Sequence, residues 1–162
     1  MERSAVIDGE YRYRLSRKWD TGRDLTVIML NPSVADDTRD DPTIRRCIGF
    51  ARRRGLAGLN VVNLFALRAT DPAALRSHPD PVGPRNDEFI AEAAQDSLMV
   101  AAWGAHGFAV PRAAEVSAAL AAAGVNLQAW GVTKAGHPGH PLYLPSDSVL
   151  LPWPSTCGPA TT

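Results

Sequence analysis

LTVIMLNPS, residues 25–33, is the stretch of sequence that decides the fold. Its first six residues, Leu25 to Leu30, are apolar apart from one threonine and include β-branched side chains, which is typical of a buried strand. Pro32 ends the strand, because proline cannot donate a hydrogen bond to a neighbouring strand. Polar groups at the carboxyl end of a buried strand in an α/β sheet lie where such folds bind ligands. The stretch therefore predicts a central strand with a binding site at its end.

Strands and helices alternate along the rest of the chain. Alternation of this kind predicts an α/β fold with a mostly parallel central sheet between two layers of helices. A β-hairpin turning at Asp8-Gly9 is expected to precede it, at 5–15. The predicted strands are 25–30, 59–65, 98–103 and 125–130; the predicted helices are 42–54, 86–96 and 110–123, with a short helix after Thr70-Asp71-Pro72.

Length and composition indicate one globular domain. The chain has 162 residues, of which 45% are hydrophobic and 21% charged. We expect a single domain over 1–150 and a loose tail over 151–162. Seventeen basic and seventeen acidic residues give a net charge of zero, which excludes a strongly basic nucleic-acid binder but leaves a local basic patch open.

The cysteines and the hydropathy pattern indicate where the protein is located. Cys47 and Cys157 have no metal-ligand spacing and suggest no disulfide framework. We find no apolar leader segment and no apolar run long enough to span a bilayer. The expectation is a cytoplasmic protein that does not associate with membranes.

A second polar stretch, Gly136 to Pro141, follows the last predicted strand and carries His137 and His140. Its prolines and glycine exclude a regular helix, and the sequence offers no further cluster of cysteine or histidine ligands for a metal. A histidine here either holds the loop by a hydrogen bond or stabilises negative charge on a leaving group or an oxyanion.

Three asparagines are the amide candidates. Asn31 either turns the chain or positions a water or a polar substrate edge, but it cannot act as a strong general base. Asn60 and Asn63 lie in an otherwise apolar strand, where a buried amide needs a hydrogen-bond partner or a ligand. Since they are three residues apart, they point to opposite faces. Asn63 is nearer the carboxyl end and is the better site candidate.

The acidic stretch from Asp36 to Asp41 supports two interpretations. It is either a solvated loop that ends with Asp41 as the N-cap of the following helix, or a magnesium site built on its aspartates. The four aspartates are Asp36, Asp37, Asp40 and Asp41.

Several stretches resemble the bacterial and phage family of uncharacterised proteins known as DUF1643. The resemblance covers roughly residues 10–145 and is carried by LNPSVADDTRDDPTIRRCIGFARRRG (30–55), NVVNLFALRATDP (60–72), DPVGPRND (80–87) and WGAHG (103–107). More distantly, the chain is similar to the uracil-DNA glycosylase superfamily. Met29-Leu30-Asn31-Pro32 stands where its mismatch-specific branch has Gly-Ile-Asn-Pro, and His140-Pro141 matches the start of its second motif.

The glycosylase resemblance implies a three-layer fold and a role for each matching residue. Asn31 would hold the attacking water, flanked by Pro32 and Ser33, and His140 would stabilise the departing base anion. Asn63, or Asn60 under another alignment, would read the base edge. The remaining substrate-binding candidates are Phe50 and Phe65, as stacking platforms, and His137.

The function that the resemblance implies is hydrolysis of an N-glycosidic bond without metal or cofactor. The partner would be DNA, in duplex or single-stranded form, or a free nucleoside or nucleotide. One alternative is a non-catalytic module that binds nucleic acid or nucleotides. The other is a magnesium-dependent enzyme of phosphate chemistry that uses the Asp36–Asp41 loop. The sequence does not indicate an oligomeric state.

Overall fold

A computed structural model of the protein describes residues 1–33 and 38–154. These residues form a seven-stranded sheet and four α-helices. The strands are β1 (Glu2–Asp8), β2 (Tyr11–Lys18), β3 (Asp24–Met29), β4 (Gly58–Asn63), β5 (Ser97–Ala101), β6 (Gln128–Ala129) and β7 (Leu151–Pro152). The helices are α1 (Pro42–Arg53), α2 (Ala73–Ser77), α3 (Asn86–Ala93) and α4 (Val110–Ala122).

The sheet is mixed, so the expectation of a mostly parallel sheet is wrong. Its order is β1-β2-β4-β3-β5-β6-β7. The inner pairs β4–β3, β3–β5 and β5–β6 are parallel, whereas β1–β2, β2–β4 and β6–β7 are antiparallel. Alternation of strands and helices correctly indicates the parallel inner strands. The strands toward both edges of the sheet pair antiparallel with their neighbours, which the alternation does not predict. The predicted amino-terminal hairpin is confirmed as β1 and β2, and β2 extends the sheet by pairing Leu15 with Val61.

The inner strands are covered by helices on both faces. Val27 and its neighbours at alternate positions of β3 pack with Ile44, Cys47 and Ile48 of α1. Ile28 points to the opposite face, where the packed residues include Ile90 of α3 and Val116 and Leu120 of α4. Because successive side chains of a strand alternate between faces, an apolar strand such as β3 supplies both cores.

Helix α1 begins as the sequence predicts. The Asp41 side chain accepts a hydrogen bond from the Ile44 backbone N–H at 2.8 Å, and Pro42 occupies the first turn. Cys47 lies on the buried face of the helix, and burial raises the pKa of its thiol to about 12. The N-cap predicted for Asp41 is confirmed.

The sheet extends two residues past the predicted domain end at 150, because Leu151 and Pro152 form β7. The Trp153 backbone N–H donates to the Leu127 carbonyl at 2.8 Å, and its ring meets Trp103 edge-on at 6.0 Å. Residues 155–162, including Cys157, lie outside the described residues. Within the described ranges, no helix has the length and apolar character needed to cross a membrane.

Candidate functional site

The connections between the parallel strands change direction at β3. Its neighbour β4 lies on one side, and β5, the next inner strand in the chain, lies on the other. The crevice outside the carboxyl ends of the strands at such a switch point is where open α/β sheets bind ligands. Asn31, Pro32 and Ser33 follow β3 directly and therefore lie at this crevice.

A cavity of about 160 Å³ opens at this point and brings three predicted residues together. Asn31 follows β3, Asn63 ends β4, and His140 comes from the loop after β6. All three line the cavity, although 32 and 77 positions separate them along the chain. The other lining residues are Arg12, Met29, Ser33, Asp41, Thr43, Ile44, Cys47 and Val61.

Asn63 is the most unusual of these residues. It is 1% exposed, and neither its Nδ2 nor its Oδ1 has a hydrogen-bond partner among the described residues. An amide buried without partners costs on the order of 1–3 kcal/mol. Its backbone is held firmly, since its carbonyl accepts from Asn86 Nδ2 at 2.9 Å. A fixed, buried amide with both polar atoms unpaired indicates a position for a ligand or for ordered water.

Asn31 has a structural role and an available acceptor at once. Its Nδ2 donates to the carbonyl oxygens of Ala69 at 2.8 Å and Pro32 at 3.0 Å. These bonds attach the end of β3 to the loop after β4 and fix the orientation of the amide. Its Oδ1 receives no hydrogen bond within residues 1–33 and 38–154 and can accept from a water or a ligand.

His140 is held as a neutral hydrogen-bond donor. It precedes a 3₁₀ turn over Pro141–Tyr143, and its Nδ1 accepts from the Leu142 backbone N–H at 3.2 Å. A neutral imidazole that accepts at Nδ1 carries its hydrogen on Nε2. Burial lowers the pKa of His140, and His106 lowers it further, against the opposing effect of Asp41. The neutral form is therefore favoured at neutral pH.

Arg12 is a site residue that the sequence did not predict. It lies on β2, is 7% exposed, and lines the cavity beside Asn31. Its backbone N–H donates to the Ala66 carbonyl at 3.0 Å, which joins the hairpin to the chain after β4. The alternation of Arg12 and Arg14 with tyrosines is typical of a solvent-facing arginine. Nothing in that local pattern indicates that β2 turns one arginine inward.

Of the other predicted residues, Ser33 also lines this cavity, whereas Pro32, Asn60, Phe50, Phe65 and His137 do not. Asn60 accepts from Ser16 Oγ at 2.7 Å and donates to Asp24 at 3.3 Å. It lies three residues before Asn63 on β4 and does not line the cavity. Phe50 stacks on Trp130 with ring centres 4.4 Å apart, and Phe65 stacks on Phe108 at 6.0 Å. Both phenylalanines are core residues and line none of the site's walls.

A wider cleft of about 810 Å³ adjoins the small cavity and shares His140 with it. Tyr143 stands on its rim, 84% exposed, with its ring centre 5.5 Å from that of His140. His137 lines a third cleft together with Trp103, His106 and Trp153. His106 is common to the second and third clefts, so the recesses follow one another along the carboxyl edge of the sheet.

The described aspartates of the acidic stretch have structural partners. Asp40 accepts from Arg17 at 2.8 Å and from Arg3 at 2.9 Å. Burial raises the pKa of Asp40, but the hydrogen bonds from these arginines outweigh burial, and the net shift is downward. Asp36 and Asp37 lie outside the described residues. In the part of the chain that the structure describes, no group of three or more histidine, cysteine or acidic side chains could hold a metal ion.

Comparison with known proteins identifies one family. The model of a family described as "Protein of unknown function (DUF1643)" matches residues 12–142, which includes every residue of the small cavity. Curated proteins and solved structures gave no match.

Proposed function

The chain belongs to the DUF1643 family, and we propose that it hydrolyses N-glycosidic bonds with a nucleobase held in the small cavity. The observation that carries this proposal is the buried amide of Asn63, which has no hydrogen-bond partner among the described residues and lies in the same cavity as Asn31 and His140. A donor and an acceptor on one fixed amide match the alternating donors and acceptors on the edge of a base.

The size of the cavity favours a single ring. A protein cavity of about 150 Å³ can enclose benzene, and this one measures about 160 Å³. A six-membered pyrimidine ring has similar dimensions to benzene. The wider cleft beside His140 offers room for the sugar and phosphate that such a base carries.

The reaction follows from the chemistry of the three side chains. The bond between C1′ and the base nitrogen breaks with its electron pair on the base, while a water oxygen bonds to C1′. The water gives up one proton in this step, and the base anion takes one up from solvent. His140 donates from Nε2 to the departing base anion, and Asn31 Oδ1 orients the water. Loss of one preorganised donor to a developing anion costs on the order of 10²-fold in rate.

The same residues support the proposal that the fold is glycosylase-like. Asn31-Pro32 follows the first inner strand and His140-Pro141 follows the last, and Asn31 and His140 line one cavity. These are the two positions on which the resemblance to the uracil-DNA glycosylase superfamily depends.

The partner that fits best is DNA with an unpaired base, and the second is a free nucleoside or nucleotide. A base must leave its stack to enter the cavity, and an unpaired base does so at lower cost. The neutral chain supplies little general attraction for duplex phosphates. The exposed ring of Tyr143 beside His140 is a surface on which a neighbouring base can stack.

A second candidate is a binding module without catalysis. The amide of Asn31 is already engaged by Ala69 and Pro32, which accounts for that residue without a reaction. Asn63 would then hold a base and release it unchanged. A magnesium enzyme is less favoured by the described residues, because Asp40 pairs with arginines and Asp41 caps α1.

The experiment incubates the protein with single-stranded and mismatched oligonucleotides that carry uracil or hypoxanthine, and with the free nucleosides. Alkaline cleavage detects abasic sites, and chromatography detects released base. The proposal expects release that Asn63→Leu and His140→Ala abolish or slow by on the order of 10²-fold. Binding without release, with an affinity that falls as the salt concentration rises, supports the binding module. Release that persists in both variants contradicts the proposed site.

A further inference from the structure

We propose that Asp41 is a catalytic carboxylate of this cavity, which takes the proton of the attacking water while Asn31 orients it. This inference rests on the proposed hydrolysis. Neither the family match nor the resemblance to glycosylases assigns a role to this position, which lies ten residues beyond Asn31.

The geometry gives Asp41 one occupied and one available oxygen. Its Oδ1 accepts from the Ile44 backbone N–H at 2.8 Å at the start of α1. That bond fixes the carboxylate, while Oδ2 has no hydrogen bond among the described residues. Asp41 also lines the small cavity, together with Asn31, Asn63 and His140. A fixed carboxylate therefore lines the same small cavity as the Asn31 amide.

Electrostatic interactions support the same arrangement. Burial lowers the pKa of His140, and the negative charge of Asp41 opposes that effect. The same charge contributes, after burial, to the raised pKa of Cys47 on α1. The charge of Asp41 thus influences both His140 in the loop after β6 and Cys47 on α1. The remaining charged wall group is Arg12, and His106 faces His140 from the adjoining cleft.

The chemistry needs a group of this kind. The Asn31 amide does not ionise, so it can orient a water but cannot take its proton. In the step proposed here, the water oxygen bonds to C1′, one water proton moves to Asp41, and the C1′–N electron pair remains on the base. The base then takes a proton from solvent, and Asp41 returns its proton to solvent. The carboxylate also faces the positive charge that develops on the sugar.

The test uses changes that keep the helix cap and remove the charge. Asparagine and serine cap helices as well as aspartate does, so Asp41→Asn and Asp41→Ser should melt near the wild-type temperature. Asp96→Asn is the matched control, because Asp96 is exposed, precedes β5 at the other end of the sheet, and has φ 54, which asparagine tolerates. Base release is measured for all four proteins, and the pKa of His140 is measured by NMR titration.

We expect both Asp41 variants to release base on the order of 10²-fold more slowly than wild type, with Asp96→Asn unchanged. The pKa of His140 should fall in Asp41→Asn and stay constant in Asp96→Asn. Wild-type rates in both Asp41 variants would overturn this inference and leave the proposed function standing. An unchanged His140 pKa in Asp41→Asn would also overturn it, since Asp41 would not face the cavity. A wild-type protein that releases no base would overturn the proposed function and this role together.

Discussion

Asn63 has the clearest energetic signature of any residue in the cavity, because its amide is buried and neither polar atom has a partner within residues 1–33 and 38–154. Leucine has a similar size and no polar atoms, so Asn63→Leu should raise the free energy of unfolding by about 1 kcal/mol. The control is Asn60→Leu, which breaks bonds to Ser16 and Asp24 and should lower it by about 1 kcal/mol. Urea unfolding measures both, and equal losses in the two variants would contradict an unpaired Asn63.

His140 gives the molecule a pH dependence of defined sign. Its pKa is lowered from 6.5 in the folded protein, chiefly by burial. The unfolded chain therefore takes up a proton at this histidine first as the pH falls. The stability that depends on neutral His140 is complete above 6.5 and is lost as the pH falls from there through the folded pKa. Between pH 7.5 and 5.5, the free energy of unfolding measured in urea should fall less for His140→Gln than for wild type. An identical fall in both proteins would show that folding does not lower the pKa of His140.

At the scale of elements, the segment between β5 and α4 contacts the loop that carries His140 and contains His106. Gly104 has φ 77, a conformation that side chains other than glycine rarely adopt, and its N–H donates to the Pro138 carbonyl at 3.0 Å. A Cβ at Gly104 would lie 3.8 Å from the His106 ring and 4.0 Å from the His140 Cβ, which are ordinary contacts. The cost of Gly104→Ala is therefore backbone strain, about 1–2 kcal/mol.

Gly107→Ala is the matched control for this element. Gly107 lies in the 3₁₀ turn before α4, and a Cβ there would meet no atom within 4 Å. We expect thermal unfolding of Gly107→Ala to match wild type, and that of Gly104→Ala to occur at a clearly lower temperature. Equal melting temperatures for the two variants would mean that the loop does not require the left-handed conformation at Gly104.

At the scale of the whole molecule, sequence patterns predict the inner elements better than the edges. The apolar run before Asn31 and the spacing of Ile44, Cys47 and Ile48 are local signals, and the structure confirms β3 and α1. The pairing of β2 with β4 and of β6 with β7 depends on contacts far apart in the chain, which no local pattern encodes.

Only part of the cavity can be predicted from local sequence patterns. A polar amide in an otherwise apolar strand, as at Asn63, is unusual enough to be recognised as a site candidate from the sequence. Arg12 and Asp41 carry no such conflict. Arginine is ordinary in an edge hairpin and aspartate is ordinary before a helix, so only the packing of β2 and α1 against β3 and β4 reveals that both line the cavity.

The central claim is that Asn31, Asn63 and His140 form one nucleobase cavity, and the most direct test is a crystal structure after soaking with uracil. We predict a planar ring in the cavity, with polar atoms about 3 Å from both amide atoms of Asn63 and from His140 Nε2. The same soak of Asn63→Leu crystals should leave the cavity without the ring. A ring bound elsewhere, or a cavity that holds only water in wild-type crystals under saturating uracil, would contradict the account.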